Sequence, residues 1–211
     1  RYFIGVTLAS VFGIALYLHW QETYPAFLTA LRHSLFNVVS IATTTGFASV
    51  DYNLWPMFAP LWMLFLCSFA TSAGSTGGGI KMMRAIILYK QVYRELLRAM
   101  HPNAIWPIRV GGGQVEQNIL TAVLAFGFAY MCFLVALTLL MVFSGLDILT
   151  AFSAVVATVN NTGPGLNQVG PSTTFEVLTD FQTWVCSFAM LLGRLEIFTL
   201  LVVLTPAFWR R

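Results

Sequence analysis

Charged residues are scarce in this sequence. Asp, Glu, Lys and Arg make up 9% of the 211 residues, whereas 58% are hydrophobic. Soluble domains carry about 25% charged residues, so a chain this poor in charge cannot cover its surface with groups that water solvates. This excludes an ordinary soluble domain, and the net charge of +3 is too small to indicate nucleic-acid binding. We therefore expect a protein surrounded by membrane lipid.

Paired cysteines and histidine clusters are also lacking. Cys67, Cys132 and Cys186 each lie in an apolar run, with no CxxC pair and no histidine partner nearby. Isolated thiols in apolar surroundings behave as small hydrophobic side chains, so we expect neither a disulfide nor a cysteine metal site. An intramembrane enzyme would need a nucleophile beside a base. No Ser, Cys or Asp lies near a His within the long apolar spans, which argues against that class.

Long apolar runs are present instead, and they predict an all-α membrane protein. A helix needs about 20 residues to cross the hydrocarbon core. Runs of this length predict spans at residues 2–20, 55–73, 118–143 and 181–209. Two shorter runs, 31–42 and 148–159, would reach roughly halfway across at 1.5 Å per residue, so we predict two half-helices.

Each half-helix ends in a polar strip that contains glycine, at residues 43–47 and 160–165. The order span, half-helix, strip, span thus occurs twice, in residues 1–100 and 118–211. The residues repeat as well: 45–46 recur 117 positions later, and 67–70 recur 119 positions later. The sequence therefore predicts a duplicated membrane–pore-loop–membrane unit.

Basic residues predict the orientation. The connection between the second and third spans, with a helix predicted at 82–100 and a linker at 101–117, is basic, and the chain ends in two arginines. The positive-inside rule places both regions, and hence the C-terminus, in the cytoplasm. Of the charged residues expected outside, one is basic and five are acidic: Arg32 against Glu22, Asp51, Asp147, Glu176 and Asp180. Both strips then enter from a mildly acidic face that attracts cations.

The two strips have the composition of an ion filter. A selective pore must replace the water around a cation, and rings of backbone carbonyls do so for potassium. Gly46 and Gly163 permit the unusual backbone conformation that such a filter needs, and the C-terminus of each half-helix carries partial negative charge. The alternative is that both strips are ordinary turns, but two of them at matching places of a duplicated unit favour the filter.

The motifs resemble those of the Trk/Ktr/HKT superfamily of cation transporters, most closely its bacterial TrkH branch. They are ThrThrThrGlyPhe at 43–47, AlaGlySerThrGlyGlyGlyIleLys at 73–81, AsnAsnThrGlyProGly at 160–165 and GlyArgLeuGluIlePhe at 193–198. The resemblance implies four repeats around a pseudo-fourfold potassium-channel-like pore, of which this chain holds the third and fourth. The first two repeats are therefore expected partners. It also implies potassium contacts at Thr44, Thr45, Gly46, Asn161, Thr162 and Gly163.

A glycine-rich loop at 74–81 interrupts the second predicted span. It lacks the Gly-Lys-Ser/Thr ending of a phosphate-binding loop, so nucleotide binding there is rejected. The glycines disfavour a helix by about 1 kcal/mol each. The resemblance implies an intramembrane gating loop that includes Gly74, Gly77, Gly78, Gly79 and Lys81. The alternative is a simple kink or a close helix contact.

Arg194 lies within the last predicted span, where a charge is costly and faces a cavity or a partner. By resemblance we expect it to point toward the glycine-rich loop and to restrain conduction. The alternative is a structural salt bridge with another span.

Residues 89–110 form the best docking surface for a soluble partner, which the resemblance implies is a nucleotide-binding cytosolic ring of the TrkA or KtrA type. The alternative is plain positive-inside bias.

These features together predict gated uptake of potassium across the bacterial inner membrane, with no enzymatic activity and no organic cofactor on this chain. The resemblance also implies a homodimer. The main alternative is a symporter that couples potassium to protons or sodium. Glu196 is the one acidic residue in a span core that could serve such coupling. The resemblance implies that glycine at both positions, Gly46 and Gly163, favours potassium over sodium, although the two strips alone do not fix the choice.

Overall fold

The chain folds almost entirely into α-helices, and the all-α prediction is confirmed. The structure, a computed structural model, describes residues 2–72, 74–75, 77–101, 104, 106–195 and 197–210. Its helices and strands are α1 Tyr2–Trp20, α2 Phe27–Ala42, α3 Phe58–Phe69, α4 Met82–Met100, β1 Arg109–Val110, β2 Gly113–Gln114, α5 Gln117–Phe143, α6 Ile148–Val159, α7 Asp180–Arg194, α8 Ile197–Leu204 and α9 Pro206–Trp209.

Two helices in the described part of the chain, α1 and α5, are long and apolar enough to cross a membrane. Both carry large apolar side chains on their exposed faces, such as Phe12 and Phe128. Helices α7 and α8 make a third candidate span if the bent pair is counted as one. An apolar helix surface of this kind is solvated by lipid tails rather than by water.

Of the two half-helices, α6 lies inside the protein, whereas α2 buries one face and exposes Leu28, Leu35 and Phe36 on the other. Nine of the twelve residues of α6 are buried, because α3, α5 and α7 pack around it. Helix α2 packs in the same way between α1 and α3, but it begins at Phe27 rather than at the predicted residue 31. The four additional residues, 27–30, follow Pro25 and Ala26, and three of them are apolar, so the predicted run could have been extended to Phe27.

The second predicted span, 55–73, is shorter in the structure than we expected. Helix α3 begins only at Phe58, because Trp55 precedes Pro56 and adopts an extended conformation with φ −77° and ψ 156°. It ends at Phe69, before the glycine-rich loop. The predicted end at Ala73 lies outside the described residues.

The predicted last span over 181–209 is divided into shorter helices in the structure. Helix α7 ends at Arg194 and α8 begins at Ile197, and their axes meet at 109°. At the 119-residue offset this break corresponds to the glycine-rich loop of the first unit, so both units interrupt the helix that follows the strip. A second break at Thr205 has a local cause, since Pro206 holds Thr205 in an extended conformation.

The predicted cytoplasmic linker, 101–117, contains a small ordered hairpin. Strands β1 and β2 pair antiparallel, and Lys90 Nζ donates to the carbonyl oxygen of Arg109 at 2.6 Å. Ile108 at the base of the hairpin is buried against Ile87 of α4 and Leu120 of α5. Packing therefore fixes the connection between the two units to the ends of their helices.

The N-terminus of α6 carries a side-chain cap that sequence propensities favour. The carboxylate of Asp147 accepts from the backbone N–H of Thr150 at 3.0 Å and from the amide of Asn167 at 3.1 Å. Hydrogen bonds from the Thr150 side chain, the Thr150 backbone and Asn167 hold the pKa of Asp147 below its ordinary value of 3.8.

We expect Asp147→Ala to destabilise the folded protein by about 1 kcal/mol, because the first turn of α6 loses its cap. Asp147→Asn, which keeps a capping oxygen, is the matched control and should cost less than half as much. The folded-state pKa is lowered, so the ionised cap stabilises above pH 3.8 and this contribution is lost as the pH falls through the folded-state value. Thermal unfolding of the detergent-solubilised protein measures both effects, and equal losses in the two variants would contradict a capping role.

Candidate functional site

The half-helices α2 and α6 end in the same hydrogen-bonded turn. In the first, Thr45 N–H donates to the carbonyl oxygen of Ser40 at 2.8 Å; in the second, Thr162 N–H donates to that of Ala157 at 2.9 Å. The preceding residue of each strip makes a second bond. Thr44 N–H donates to the carbonyl oxygen of Ile41, and Asn161 N–H donates to that of Thr158, both at 3.0 Å. This pair of bonds is a Schellman motif, which satisfies the last helical carbonyls.

The turn forces two residues of each strip into the left-handed region. Thr44 has φ 56° and Asn161 has φ 54°, while Gly46 has φ 82° and Gly163 has φ 106°. Asparagine and glycine tolerate this region, whereas a β-branched threonine is strained there. The matching angles, 117 positions apart, show that the duplicated sequence produces a duplicated backbone.

Beyond the turns, carbonyl oxygens become available for a ligand. Those of Thr44, Thr45, Asn161 and Thr162 accept no hydrogen bond from any residue that the structure describes. A carbonyl left without a partner at membrane depth costs several kcal/mol, so these oxygens require water or a cation. In the described ranges, His, Cys, Asp and Glu form no group of three that could hold a metal.

The two strips lie side by side. A Cβ atom at Gly46 would overlap the carbonyl oxygen of Thr162 and would lie 3.3 Å from Cδ of Pro164. Only glycine allows the first strip to approach the second this closely. The predicted filter residues of both units are therefore brought to one place.

The glycine-rich loop lies directly against both strips. A Cβ atom at Gly77 would lie 2.6 Å from Oγ1 of Thr44, and one at Gly78 would lie 2.6 Å from the carbonyl oxygen of Val159. Gly78 N–H donates to the carbonyl oxygen of Asn160 at 3.2 Å. The loop needs glycine because its main chain lies so close to the strips that no space is left for side chains on the loop.

The other side of the loop is hydrogen-bonded to the end of α3 and to the residues that follow it. Ile80 N–H donates to the carbonyl oxygen of Ser68, and Met82 N–H donates to that of Thr71, both at 2.8 Å. Because these bonds satisfy carbonyls that the shortened α3 leaves free, the loop replaces the helical turns that would otherwise follow. Lys81, at φ 65°, then turns the chain into α4.

A cavity of about 190 Å³ lies beside the loop. It is lined by Ser75, Gly77, Gly79, Lys81, Phe126, Tyr130, Leu192, Gly193, Arg194 and Ile197. The structure therefore brings Arg194 and the loop residues to one cavity, although they are more than a hundred positions apart in sequence. Gly74 belongs to the loop but does not line this cavity. Glu196, the candidate for ion coupling, lies outside the described residues.

Close packing against α6 places Arg194 beneath the strip. A Cβ atom at Gly193 would overlap the carbonyl oxygen of Val159, and Nδ2 of Asn161 donates to the carbonyl oxygen of Met190 at 3.2 Å. The main chain of α7 at Gly193 thus contacts the main chain at the end of α6. Arg194 is the next residue of α7.

Sequence reasoning missed the residues that hold the loop to α6. Asn160 is completely buried and bonds side chains from two other helices, Ser68 and Tyr130. One signal was available: at the 117-residue offset Asn160 corresponds to Thr43, so the two strips differ at the position before the turn. Tyr130 carried no signal, since a tyrosine within an apolar helix resembles any other core residue.

We expect Gly193→Ala to destabilise the protein by about 1–3 kcal/mol, because the added methyl group meets a main-chain oxygen that cannot move aside. The matched control is Gly127→Ala on α5, where a Cβ atom would meet the flexible side chain of Leu88 at 3.4 Å. The melting temperatures of the two purified variants measure the difference. Similar melting temperatures would contradict the close contact.

Comparison with known proteins places this arrangement in a family. The model of the TrkH family, described as "Cation transport protein", matches residues 22–211. The chain is 43% identical over 210 residues to the Trk system potassium uptake protein TrkH of Salmonella typhimurium, covering 100% of this chain and 43% of that protein. It is 45% identical over 208 residues to the Vibrio parahaemolyticus protein of the same name, covering 99% of this chain and 42% of that one.

A solved structure agrees with the fold. The crystal structure of the potassium transporter TrkH from Vibrio parahaemolyticus matches with a TM-score of 0.91 and 43% identity, over 99% of this chain and 44% of that chain. The chain thus spans less than half the length of these relatives. Since the family model covers all but the first residues and the fold matches throughout, the chain belongs to the TrkH family of cation transport proteins.

Proposed function

We propose that this chain forms half of a gated pore that takes up potassium across the bacterial inner membrane. The observation that carries the proposal is the pair of strips with matching backbone angles that meet where Gly46 contacts the carbonyl oxygen of Thr162. The relatives are named potassium uptake proteins, and their likeness extends over the whole chain. No covalent chemistry and no organic cofactor are part of the proposal.

Potassium would be held mainly by main-chain oxygens. Carbonyl dipoles can replace the hydration shell of the ion, and the carbonyls after each turn have no other described donor. The C-termini of α2 and α6 add partial negative charge at the same place. The proposed filter residues are Thr44, Thr45, Gly46, Asn161, Thr162 and Gly163.

Two strips supply half of a ring around a central ion. The relatives are more than twice as long as this chain, which supports two further repeats on the N-terminal side that complete a pseudo-fourfold pore. A homodimer and a nucleotide-binding cytosolic ring are the proposed partners. The ring would dock on the basic end of α4 and the hairpin at Arg109–Gln114, and the positive-inside rule supports a cytoplasmic C-terminus.

The glycine-rich loop is the proposed gate. Its main chain contacts both strips, and two of its glycines, Gly77 and Gly79, line the cavity that Arg194 also lines. A cation that leaves the filter toward this cavity meets the loop first. The proposed gating residues are Gly74, Gly77, Gly78, Gly79, Lys81 and Arg194, of which the last adds positive charge that opposes the passage of a cation.

The test of this function is the potassium current of the intact purified protein in planar bilayers. We expect discrete openings that favour potassium over sodium, and we expect Gly46→Ala to abolish them, since the methyl group collides with Thr162 and the residue is held at φ 82°. Gly127→Ala should retain the current. Potassium uptake without discrete openings would favour a symporter, and an unaltered current in Gly46→Ala would contradict the filter.

We expect Arg194→Ala to raise potassium flux at least severalfold, because a positive charge is removed from the cavity below the loop. The matched control is Arg210→Ala, which removes an exposed arginine beyond α9 that does not line the cavity. Flux of ⁸⁶Rb⁺ into proteoliposomes measures both variants. If both alter flux equally, or if neither does, Arg194 has no part in the gate.

A further inference from the structure

Asn160 lies at the centre of a buried hydrogen-bond cluster below the second strip. Its side chain is completely buried. Nδ2 donates to the carbonyl oxygen of Val156 at 2.7 Å and to Oγ of Ser68 at 3.3 Å, and Oδ1 accepts from the hydroxyl of Tyr130 at 3.2 Å. One amide thus joins the end of α6 to side chains from α3 and α5.

The same residue contacts the glycine-rich loop in two ways. Its carbonyl oxygen accepts from Gly78 N–H at 3.2 Å, and a Cβ atom at Gly79 would overlap its Oδ1. The hydroxyl of Thr71 donates to the carbonyl oxygen of Gly78 at 3.2 Å, which holds the loop from the α3 side. The loop therefore contacts both the main-chain carbonyl and the side-chain amide of Asn160.

Among the described residues, the equivalent residue of the first unit makes no such connection. Thr43 donates its hydroxyl to the carbonyl oxygens of Val39 at 2.7 Å and Ser40 at 3.3 Å, and contacts the hydroxyl of Thr45 at 2.8 Å. All of these partners belong to its own helix or strip. Since the Schellman turn forms in both units, Asn160 is not needed for the turn, and its bonds to other helices serve something else.

We propose that Asn160 is a positioning residue that holds the glycine-rich loop in its blocking position, and that the hydroxyls of Tyr130 and Ser68 keep the Asn160 amide in place. This inference rests on the proposed function of the loop as a gate. It adds the residues that determine how firmly the gate is held. The inference also links the proposed gate to the proposed filter, because Asn160 immediately precedes Asn161, the left-handed residue of the second strip.

Tyr130 offers the cleanest way to loosen this cluster. Its ring lines both the cavity below the loop and an apolar crevice between α3 and α5, which Phe65 and Leu134 also line. Phenylalanine would fill the same space and remove only the hydroxyl. A single neutral hydrogen bond changes an equilibrium by about three- to tenfold. The loss of this one should shift the loop toward its displaced position by a factor of that size.

The first experiment compares single-channel records of the intact protein. We expect Tyr130→Phe and Ser68→Ala each to raise the ratio of open to closed time about three- to tenfold, with the potassium-to-sodium permeability ratio and the unitary conductance unchanged. Ser68→Thr keeps the hydroxyl and should remain at the wild-type ratio. Tyr24→Phe is the matched control, since it removes a tyrosine hydroxyl that accepts from Trp55 Nε1 at 3.2 Å in the other unit.

A second measurement needs no ion flux. Ser75 lines the cavity beside the loop, so Ser75→Cys can be modified there by a water-soluble thiol reagent. Cys132 is replaced by alanine because it is exposed, whereas Cys67 and Cys186 are buried. We expect Tyr130→Phe to accelerate the modification of Ser75→Cys severalfold, and Tyr24→Phe to leave it unchanged.

The outcomes separate the two proposals. If the wild-type protein gives no potassium current, the proposed function fails, and the modification rate still reports whether the cluster holds the loop. If the wild type conducts but Tyr130→Phe and Ser68→Ala match Tyr24→Phe in open ratio and modification rate, the positioning role is overturned. A change in ion selectivity with an unchanged open ratio would also overturn it, because the cluster would then support the filter alone.

Discussion

Two helices end inside the protein, and the need to satisfy their terminal carbonyls governs the rest of the structure. Helices α2 and α6 meet this need with the same turn, in which backbone donors fold back onto Ser40 and Ala157. The turn uses the backbone N–H groups that follow each helix. The next carbonyl oxygens accept no hydrogen bond from the described residues. The backbone geometry of the strips is thus a direct consequence of how the helices are capped, and the side chains of the strips are secondary to it.

Close main-chain contacts then assemble the site around those turns. Gly46 lets the first strip meet the second, Gly78 lets the loop meet α6, and Gly193 lets α7 meet α6. In each case a carbonyl oxygen occupies the space that a side chain would need. Because main-chain atoms cannot move aside as side chains do, these contacts fix the relative positions of filter, loop and arginine more strictly than apolar packing would.

Much of the fold could be predicted, because the lengths of the apolar runs and the spacing of the repeats can be read directly from the sequence. The duplication could be found from residues 45–46 and 162–163 alone. The break after Arg194 could not, since it occurs where Gly193 packs against α6, a contact between distant segments. The hairpin at Arg109–Gln114 was missed because its stability comes from packing on α4 and α5, not from strand-forming residues. Asn160 was missed because burial and partners, rather than residue type, make it important.

The matching turns of the two strips also amount to a natural substitution experiment. The first strip places threonine at the left-handed position and the second places asparagine, yet the φ angles differ by only two degrees. Two side chains of different shape and hydrogen-bonding capacity have therefore been accommodated by one main-chain course. The fold therefore tolerates either side chain at this position, because the hydrogen bonds of the turn rather than the side chain determine the local backbone.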